Sequence, residues 1–321
     1  MKLPFERNPY IVSYHNKAFP LGVIQGNAKG DLTPWIAGKF INCYFKPEAR
    51  LRKFEVYTTD PWGEGDGVNS SQTIRLDREM FDVLSIDVIK TVKGLLDSGY
   101  YVHGSYNERH IPAKKAYHRE DFVHDYMLIG YEDSGVFHSI GYTKSDRYEE
   151  FDISFEDYMK SLYHSPNKDI TINTCKFHEE GNFELNKSNL IMELSDYINS
   201  TNSLSVHYNY IFGLDAVREL KKFVAATAKK QGIDYRFLKL FNELKELMQL
   251  RIDYLCCGEY SYLSQEYRRV SEAANQMYLL SIKYNLTRSQ QELEHILENF
   301  DIVLKGEETI LPQFLEAMKT I

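Results

Sequence analysis

The length and composition of this chain indicate two folded units of ordinary globular character. It has 321 residues, of which 43% are hydrophobic and 26% are charged, and this is enough apolar material for two cores. The net charge of −8 argues against a nucleic-acid binder, because contact with phosphates depends on a basic surface. No apolar run approaches the roughly 18 residues of a membrane span. Without a signal peptide after Met1, we expect a cytoplasmic protein with reduced cysteines and no membrane partner.

The first part of the chain, through about residue 184, has the mixed texture of an α/β domain. Glycines at 22, 26 and 30 have no strand-to-helix context, and we interpret them as loop. Between residues 77 and 97, apolar residues recur at helical spacing. Gly99 follows this predicted helix and suits the left-handed conformation that often ends a helix. The predicted elements are a helix at 77–97, strands at 100–106, 122–131 and 136–142, a helix at 154–163 and a strand at 170–177.

The second part, residues 185–321, has the pattern of stacked amphipathic helices. Apolar residues at helical spacing in successive segments are typical of a helical bundle that buries its own core. A lid or partner-binding role for this part stays open. The predicted helices lie at 187–200, 211–231, 234–257, 262–284, 288–304 and 307–319.

Two short stretches carry a family resemblance. LLDSGYYV at 95–102 is followed, after 21 intervening residues, by HDYMLIGYED at 124–133. A helix that ends at a glycine and feeds a strand, and then a histidine that opens a second strand, resembles papain-like cysteine enzymes of the bacteriocin-leader peptidase type. With an all-helical second half, the whole layout is similar to the butirosin-biosynthesis protein H family.

This resemblance implies an α+β protein, with a papain-like domain over 1–184 and a helical domain over 185–321. It implies an acyltransferase of specialised metabolism, which takes an acyl group from a carrier-protein thioester and places it on an amine acceptor. In such enzymes the histidine, here His124, is the base. Its strand packs against the helix that the cysteine nucleophile opens.

Cys43 is the candidate nucleophile, because it is the only cysteine upstream of His124 and the order cysteine-then-histidine is that of papain. A nearby imidazolium makes a cysteine thiolate available at neutral pH. The residue six positions before Cys43 is Ala37 rather than the glutamine of a papain-like oxyanion hole, so Asn42 or Gln25 is the alternative donor. A buried, unreactive Cys43 remains an alternative.

The acid that orients the histidine is expected about 17 residues beyond it, and that position is Gly141. Asp146, 22 residues beyond His124, is the nearest acid in the return arm, and we predict it as the third member of the site. A backbone carbonyl or a tyrosine hydroxyl could orient the ring instead. A purely structural hydrogen-bonding role for His124 also stays open.

We expect no metal and no cofactor. Four histidines lie close together in the sequence, at 103, 110, 118 and 124. Their spacings of 7, 8 and 6 residues do not match the ligand spacings of compact zinc sites. A solvated face is the favoured interpretation of the basic runs, and docking of an acidic carrier protein is the alternative. These runs are Lys46, Arg50, Arg52 and Lys53, and Lys221, Lys222, Lys229 and Lys230.

Two kinds of alternative to acyl transfer stay open: other reactions at Cys43 and His124, and a protein without catalysis. With water or an internal group as acceptor, Cys43 and His124 would make a thioesterase, a cyclase or a peptidase. A non-catalytic binding protein would keep the fold and lose the site.

Overall fold

The computed structural model describes residues 1–47, 53–56, 72–167, 169–204, 209–256 and 258–320. Arg50 and Arg52 of the first basic run lie outside the described residues, as does Cys257. The strands are β1 (Cys43–Lys46), β2 (Lys53–Val56), β3 (Gln72–Asp77), β4 (Tyr100–Asn107), β5 (Val123–Glu132), β6 (Val136–Tyr142), β7 (Tyr148–Ser154), β8 (Asp169–Lys176) and β9 (Ile211–Phe212).

The α-helices that the structure describes have 5 to 13 residues before residue 185 and 13 to 31 residues after it. Among the described residues, no helix is both long enough and apolar enough to cross a membrane. The helices are α1 (His15–Asn27), α2 (Thr33–Ala37), α3 (Arg78–Val83), α4 (Val88–Asp97), α5 (Phe155–Tyr163), α6 (Lys187–Asn199), α7 (Gly213–Gln231), α8 (Tyr235–Leu255), α9 (Tyr262–Thr287) and α10 (Gln290–Thr320).

The chain divides into two compact units. The first comprises residues 1–30 and 60–182, and the second comprises 31–59 and 183–321. The predicted α+β class with a helical second half is confirmed at that level. We expected one division of the chain, near residue 184, and the structure has one at 182–183. The chain also enters the second unit earlier, because residues 31–59 belong to the unit that contains the long helices.

The first unit is built on an antiparallel sheet with the strand order β3-β8-β4-β5-β6-β7. Helices α4 and α5 contact its strands, and α1 contacts β5. The core between these elements contains buried aliphatic and aromatic side chains, which the strands and helices contribute together. They include Val92, Leu96, Val102, Tyr106, Tyr126, Leu128, Phe137, Tyr158 and Leu162.

Helix α1 replaces the loop that we expected around the first glycines. Gly22 and Gly26 lie inside the helix, and both allow Phe5 to pack directly against it. A Cβ at Gly22 would lie 2.1 Å from the Phe5 ring, and one at Gly26 would lie 2.5 Å from its Cα. Glycine lowers helix propensity, and Pro20 lies in the same helix. Tertiary packing therefore outweighs a local sequence that favours loop.

The predicted helix at 77–97 is two helices. Ser85, between α3 and α4, has a φ of 51°, a left-handed conformation that cannot continue a right-handed helix. Asp87 then begins α4, since its carboxylate accepts a hydrogen bond from the Lys90 N–H at 2.9 Å. This capping pattern is what an aspartate before an apolar run predicts.

The second unit contains a small antiparallel sheet with the order β2-β1-β9, which α7 and α8 contact. Residues 31–59 join the helices because their aromatic side chains pack there. Phe45 and Phe54 have ring centroids 5.9 and 6.0 Å from Phe223 and Phe241 respectively. Arg251, fully buried, also binds this segment through its guanidinium.

Arg251 donates from Nε to the Ala37 carbonyl and from Nη2 to the Lys39 carbonyl, both at 2.6 Å. Burial lowers the pKa of this arginine to about 10, so it remains a cation at neutral pH. These two carbonyls belong to the end of α2 and the residues after it, which otherwise have unsatisfied acceptors. The buried cation therefore fixes the start of the 31–59 segment to α8.

Candidate functional site

His124 lies at the start of β5 in the first unit, between two carboxylates. Its Nδ1 is 3.3 Å from Glu108 Oε1, and its Nε2 is 3.7 Å from Asp125 Oδ1. The histidine side chain is 39% exposed, whereas that of Glu108 is 8% exposed. A proton on Nδ1 shared with Glu108 leaves the Nε2 lone pair as the proton acceptor.

A second histidine faces the same aspartate. His15, the first residue of α1, has its Nδ1 2.8 Å from Asp125 Oδ1. Burial lowers the pKa of His15, and Asp125 opposes this effect only in part, so the ring is neutral and donates through Nδ1–H. Burial raises the pKa of Asp125, but the hydrogen bond from His15 and the electrostatic effect of the two neighbouring histidines together outweigh burial and lower it to about 2. Asp125 is therefore ionised.

Glu108 has a cation as its other partner. Lys114 Nζ is 3.3 Å from Glu108 Oε1, and it also donates to the Tyr142 carbonyl at 2.6 Å. Burial raises the pKa of Glu108, but His124 and Lys114 outweigh it and the net shift is downward. Burial lowers the pKa of Lys114. We name these residues the His124 cluster: His15, Glu108, Lys114, His124 and Asp125.

Aromatic rings form the walls of the His124 cluster. The His15 ring stacks on Phe19 at 4.7 Å between centroids and lies 5.0 Å from the His124 ring. Tyr142 and Tyr148 approach His15 at 5.4 and 6.0 Å. Such packing fixes the imidazole orientations and excludes water from His15.

Cys43 belongs to the second unit, not to the unit that holds His124. It is the first residue of β1 and is 1% exposed, and its Sγ donates to the Gly213 carbonyl at 3.7 Å. Burial raises the pKa of the thiol to about 12. At neutral pH the thiol is protonated, so its surroundings are those of a buried small hydrophobe and not of an activated nucleophile.

The two amides that were the alternative oxyanion donors, Asn42 and Gln25, also hydrogen-bond to backbone groups. The Asn42 side chain accepts a hydrogen bond from the Cys43 N–H at 2.9 Å and donates to the Thr201 carbonyl at 2.9 Å. Gln25, in α1 of the first unit, accepts from the Tyr10 N–H at 3.0 Å through Oε1. Both amides thus hold backbone in place.

Asp146 lies in the turn between β6 and β7, with a φ of 59°. Its carboxylate forms an ion pair with Lys115 at 2.5 Å. Gly141, in β6, borders the His124 cluster, because a Cβ there would lie 3.5 Å from Lys114 Nζ and 3.7 Å from His15 Nε2. The carboxylates beside His124 are instead Glu108 and Asp125.

Three residues of the His124 cluster could also hold a cation. His15, His124 and Asp125 each offer a ligand atom, and these atoms lie within 4.8 Å of one another. Two imidazoles and one carboxylate are a common donor set for zinc and for ferrous iron. The neighbouring Lys114 ammonium opposes a metal electrostatically. In addition, the short His15–Asp125 hydrogen bond would have to break. The set therefore fits a hydrogen-bonded proton-transfer centre better than a metal centre.

Sequence patterns identified His124 but not His15, Glu108 or Lys114. The signal for His15 was present as a histidine just before an apolar run, but the glycines and proline of α1 concealed the helix. Glu108 and Lys114 lie in the connection between β4 and β5, where no periodicity marks a residue. Comparison of this chain with protein-family models and with curated proteins finds no match.

Proposed function

We propose that this chain transfers an acyl group from a carrier-protein thioester to an amine, with His124 as the general base and without an acyl-cysteine intermediate. The observation that carries the proposal is the half-exposed His124, whose Nδ1 faces the buried, ionised Glu108. A positioned imidazole of this kind suits proton transfer at neutral pH. A thioester is reactive enough for direct attack by an amine.

In the reaction, the amine nitrogen attacks the thioester carbonyl and forms the new C–N bond. His124 Nε2 accepts the proton that the amine loses, while Nδ1–H remains with Glu108. When the C–S bond breaks, the imidazolium returns the proton to the departing thiolate. The products are an amide and a free thiol, and His124 ends in its starting state. Asp125 lies beside Nε2 and stabilises the transient positive charge.

The resemblance to papain-like enzymes supports this assignment through the placement of α1. In that fold the nucleophile opens a helix against which the histidine strand packs. Here α1 contacts β5, and the residue that opens it is His15, with its ring 5.0 Å from that of His124. A histidine in this place, bonded to Asp125, favours direct transfer over a covalent intermediate.

One observation favours a second candidate, a papain-like binding protein without catalysis. The enclosed, protonated thiol of Cys43 is what a chain that has lost the cysteine chemistry would contain. Such a protein would bind the thioester or the amine without converting it. The same experiment distinguishes the two candidates.

The experiment mixes the protein with an acyl-pantetheine thioester and a set of primary amines, and follows amide and thiol by mass spectrometry. We expect amide above the uncatalysed background, no acyl adduct in the intact-protein spectrum, and at least half of the wild-type rate in Cys43→Ala. Cys175→Ala, which removes another buried thiol, is the matched control.

An acyl adduct that disappears in Cys43→Ala, together with loss of amide, would overturn direct transfer and restore the cysteine mechanism. Thioester binding without any amide would support the non-catalytic binding protein. Thiol release without amide would assign hydrolysis.

A further inference from the structure

A basic cavity of about 530 Å³ lies next to the His124 cluster in the first unit. Its volume falls within the range of small-molecule sites. Four of the side chains that line it are cationic: Lys114, Lys115, Arg119 and Lys144. None of them belongs to the basic runs that stand out in the sequence, because they come together only through folding.

The cavity keeps a positive excess after its internal ion pairs are counted. Lys114 is paired with Glu108, and Lys115 with Asp146. Among the residues that the structure describes, Lys144 Nζ has the Pro112 carbonyl as its hydrogen-bond partner, at 3.5 Å. Arg119 makes no side-chain hydrogen bond or ion pair with any residue that the structure describes. Two unneutralised cations suit a phosphate ester, which carries one negative charge as a diester and nearly two as a monoester at neutral pH.

The backbone around the cavity is fixed before any ligand binds. The segment 111–119 consists of successive turns, with Ile111 and Ala116 buried beneath it. The Lys144 N–H donates to the Ala113 carbonyl at 2.8 Å, which joins this segment to the β6–β7 turn. Because the walls of the cavity are hydrogen-bonded to each other, the protein loses little conformational entropy when a ligand binds.

Lys114 connects the cavity to the candidate site, because it lines the cavity while its ammonium contacts Glu108, the partner of His124. We propose that this cavity binds the phosphate group of the acyl donor, with Arg119 and Lys144 as the main cations. The inference rests on the proposed function, and it names the part of the donor that the protein recognises. A phosphate suits the cavity better than a carboxylate, since its tetrahedral set of oxygens can accept from several cations at once.

The test measures binding without turnover. Isothermal titration with pantetheine 4′-phosphate and with pantetheine compares two ligands that differ only in the phosphate. We expect the phosphorylated ligand to bind at least about 10-fold more tightly. The same titrations on Arg119→Gln/Lys144→Gln should abolish this preference. The charge-matched control Lys29→Gln/Lys90→Gln, on exposed residues of the same unit, should retain it.

Asp146→Asn gives a test in the opposite direction. It frees Lys115 from its ion pair, and asparagine tolerates the left-handed φ of this position. We expect tighter binding of pantetheine 4′-phosphate by about 3-fold or more. If Asp146 were instead the third member of a catalytic site, the amide assay would lose activity in this variant.

Equal affinity for the two ligands, or an unchanged preference in Arg119→Gln/Lys144→Gln, would overturn the inference. Phosphate-dependent binding without amide formation would retain the cavity assignment and reject the proposed function. Amide formation from both acyl-pantetheine and its phosphorylated form at equal kcat/KM would retain the function and reject the cavity. Using an acylated carrier protein as donor in parallel shows whether the phosphate is recognised on the free arm or on the protein.

Discussion

Asp125 accepts a hydrogen bond from His15 and lies beside His124, so one carboxylate influences the position of both rings. The two histidines differ in exposure: the side chain of His15 is 5% exposed and that of His124 is 39% exposed. The buried ring therefore serves to hold Asp125, and the accessible ring is the one that can exchange a proton with a substrate. His15 is in this sense a positioning residue.

Asp125→Asn should destabilise the protein by about 1–2 kcal/mol, because the His15 N–H then donates to a neutral acceptor in a buried site. The matched control is Asp152→Asn. His138 Nδ1 is 2.9 Å from Asp152 Oδ1, but this aspartate side chain is 68% exposed, so we expect a loss of about 0.5 kcal/mol or less. Urea unfolding at pH 7 measures both values. Equal losses would contradict a special role for the buried bond.

The sequence identified one residue of the candidate site because His124 stands at a recognisable strand start. Glu108 and Lys114 could not be found in this way, since their partnership with His124 depends on how the connection between β4 and β5 folds back. The same applies to the basic cavity. Arg119 and Lys144 are 25 positions apart, and only the β6–β7 turn brings them to one wall.

At the scale of elements, a buried polar network joins helices of the second unit. Lys245 Nζ, in α8, donates to Glu307 Oε1 in α10 and to the Tyr197 hydroxyl, both at 2.7 Å. Tyr267, in α9, donates to the same carboxylate at 2.7 Å. The Glu307 side chain is 0% exposed. The Tyr197 hydroxyl donates to Glu307 Oε2 at 2.6 Å, so both carboxylate oxygens have a donor, which is the condition for keeping a charge inside a bundle.

Lys245→Met should lower the free energy of unfolding by about 3–5 kcal/mol, because Glu307 then remains buried without its cation. Lys221→Met is the control: its ion pair with Asp301 is exposed, and we expect a change of about 1 kcal/mol or less. Chemical denaturation followed by circular dichroism checks both. A loss in Lys245→Met as small as that of the control would show that the network contributes nothing.

Elements with strong periodicity were predictable, and elements shaped by distant contacts were not. The helices near 187–200 and 211–231 agree with α6 and α7 within a few residues. The break that we predicted after residue 304 does not occur, and α10 continues to Thr320. Gly306 is there for packing, because a Cβ would lie 2.4 Å from Val270 Cγ2 of α9. Close helix approach explains this glycine better than helix termination.

At the scale of the whole molecule, the change from mixed patterns to long amphipathic segments near residue 185 predicts two units. It does not predict that residues 31–59 belong to the second unit. A strand is assigned to a unit by its pairing partners. Strand β1 pairs with the nearby β2 on one side and with β9 on the other. The residues of β9, at 211–212, are far from β1 in the sequence. Local patterns contain no information on such pairing, so residues 31–59 could not be separated from the first unit in advance.

Stability should fall as the pH is lowered from about 6.5 to 4. Burial lowers the pKa of His103 from 6.5 to about 4, so in this window the unfolded chain binds a proton that the native protein does not. The difference removes up to about 3 kcal/mol from the free energy of unfolding. The lowered pKa of His15 acts in the same direction. Asp125, with a pKa of about 2, adds a further loss only below about pH 4.

Urea titrations at half-unit pH intervals measure this dependence. His103→Phe should flatten the profile between pH 6.5 and 4. A His103→Phe profile as steep as that of the wild type would show that other groups cause the acid sensitivity.

The central claim is that His124 performs the proton transfer, and kcat/KM for amide formation in His124→Gln tests it most directly. His138→Gln, another histidine of the same unit with carboxylate partners, controls for the substitution, and thermal unfolding of both variants controls for folding. We predict a fall of about 100-fold or more in His124→Gln, the usual contribution of a general base, and a change within about 2-fold in His138→Gln. A folded His124→Gln variant with wild-type kcat/KM would contradict the account.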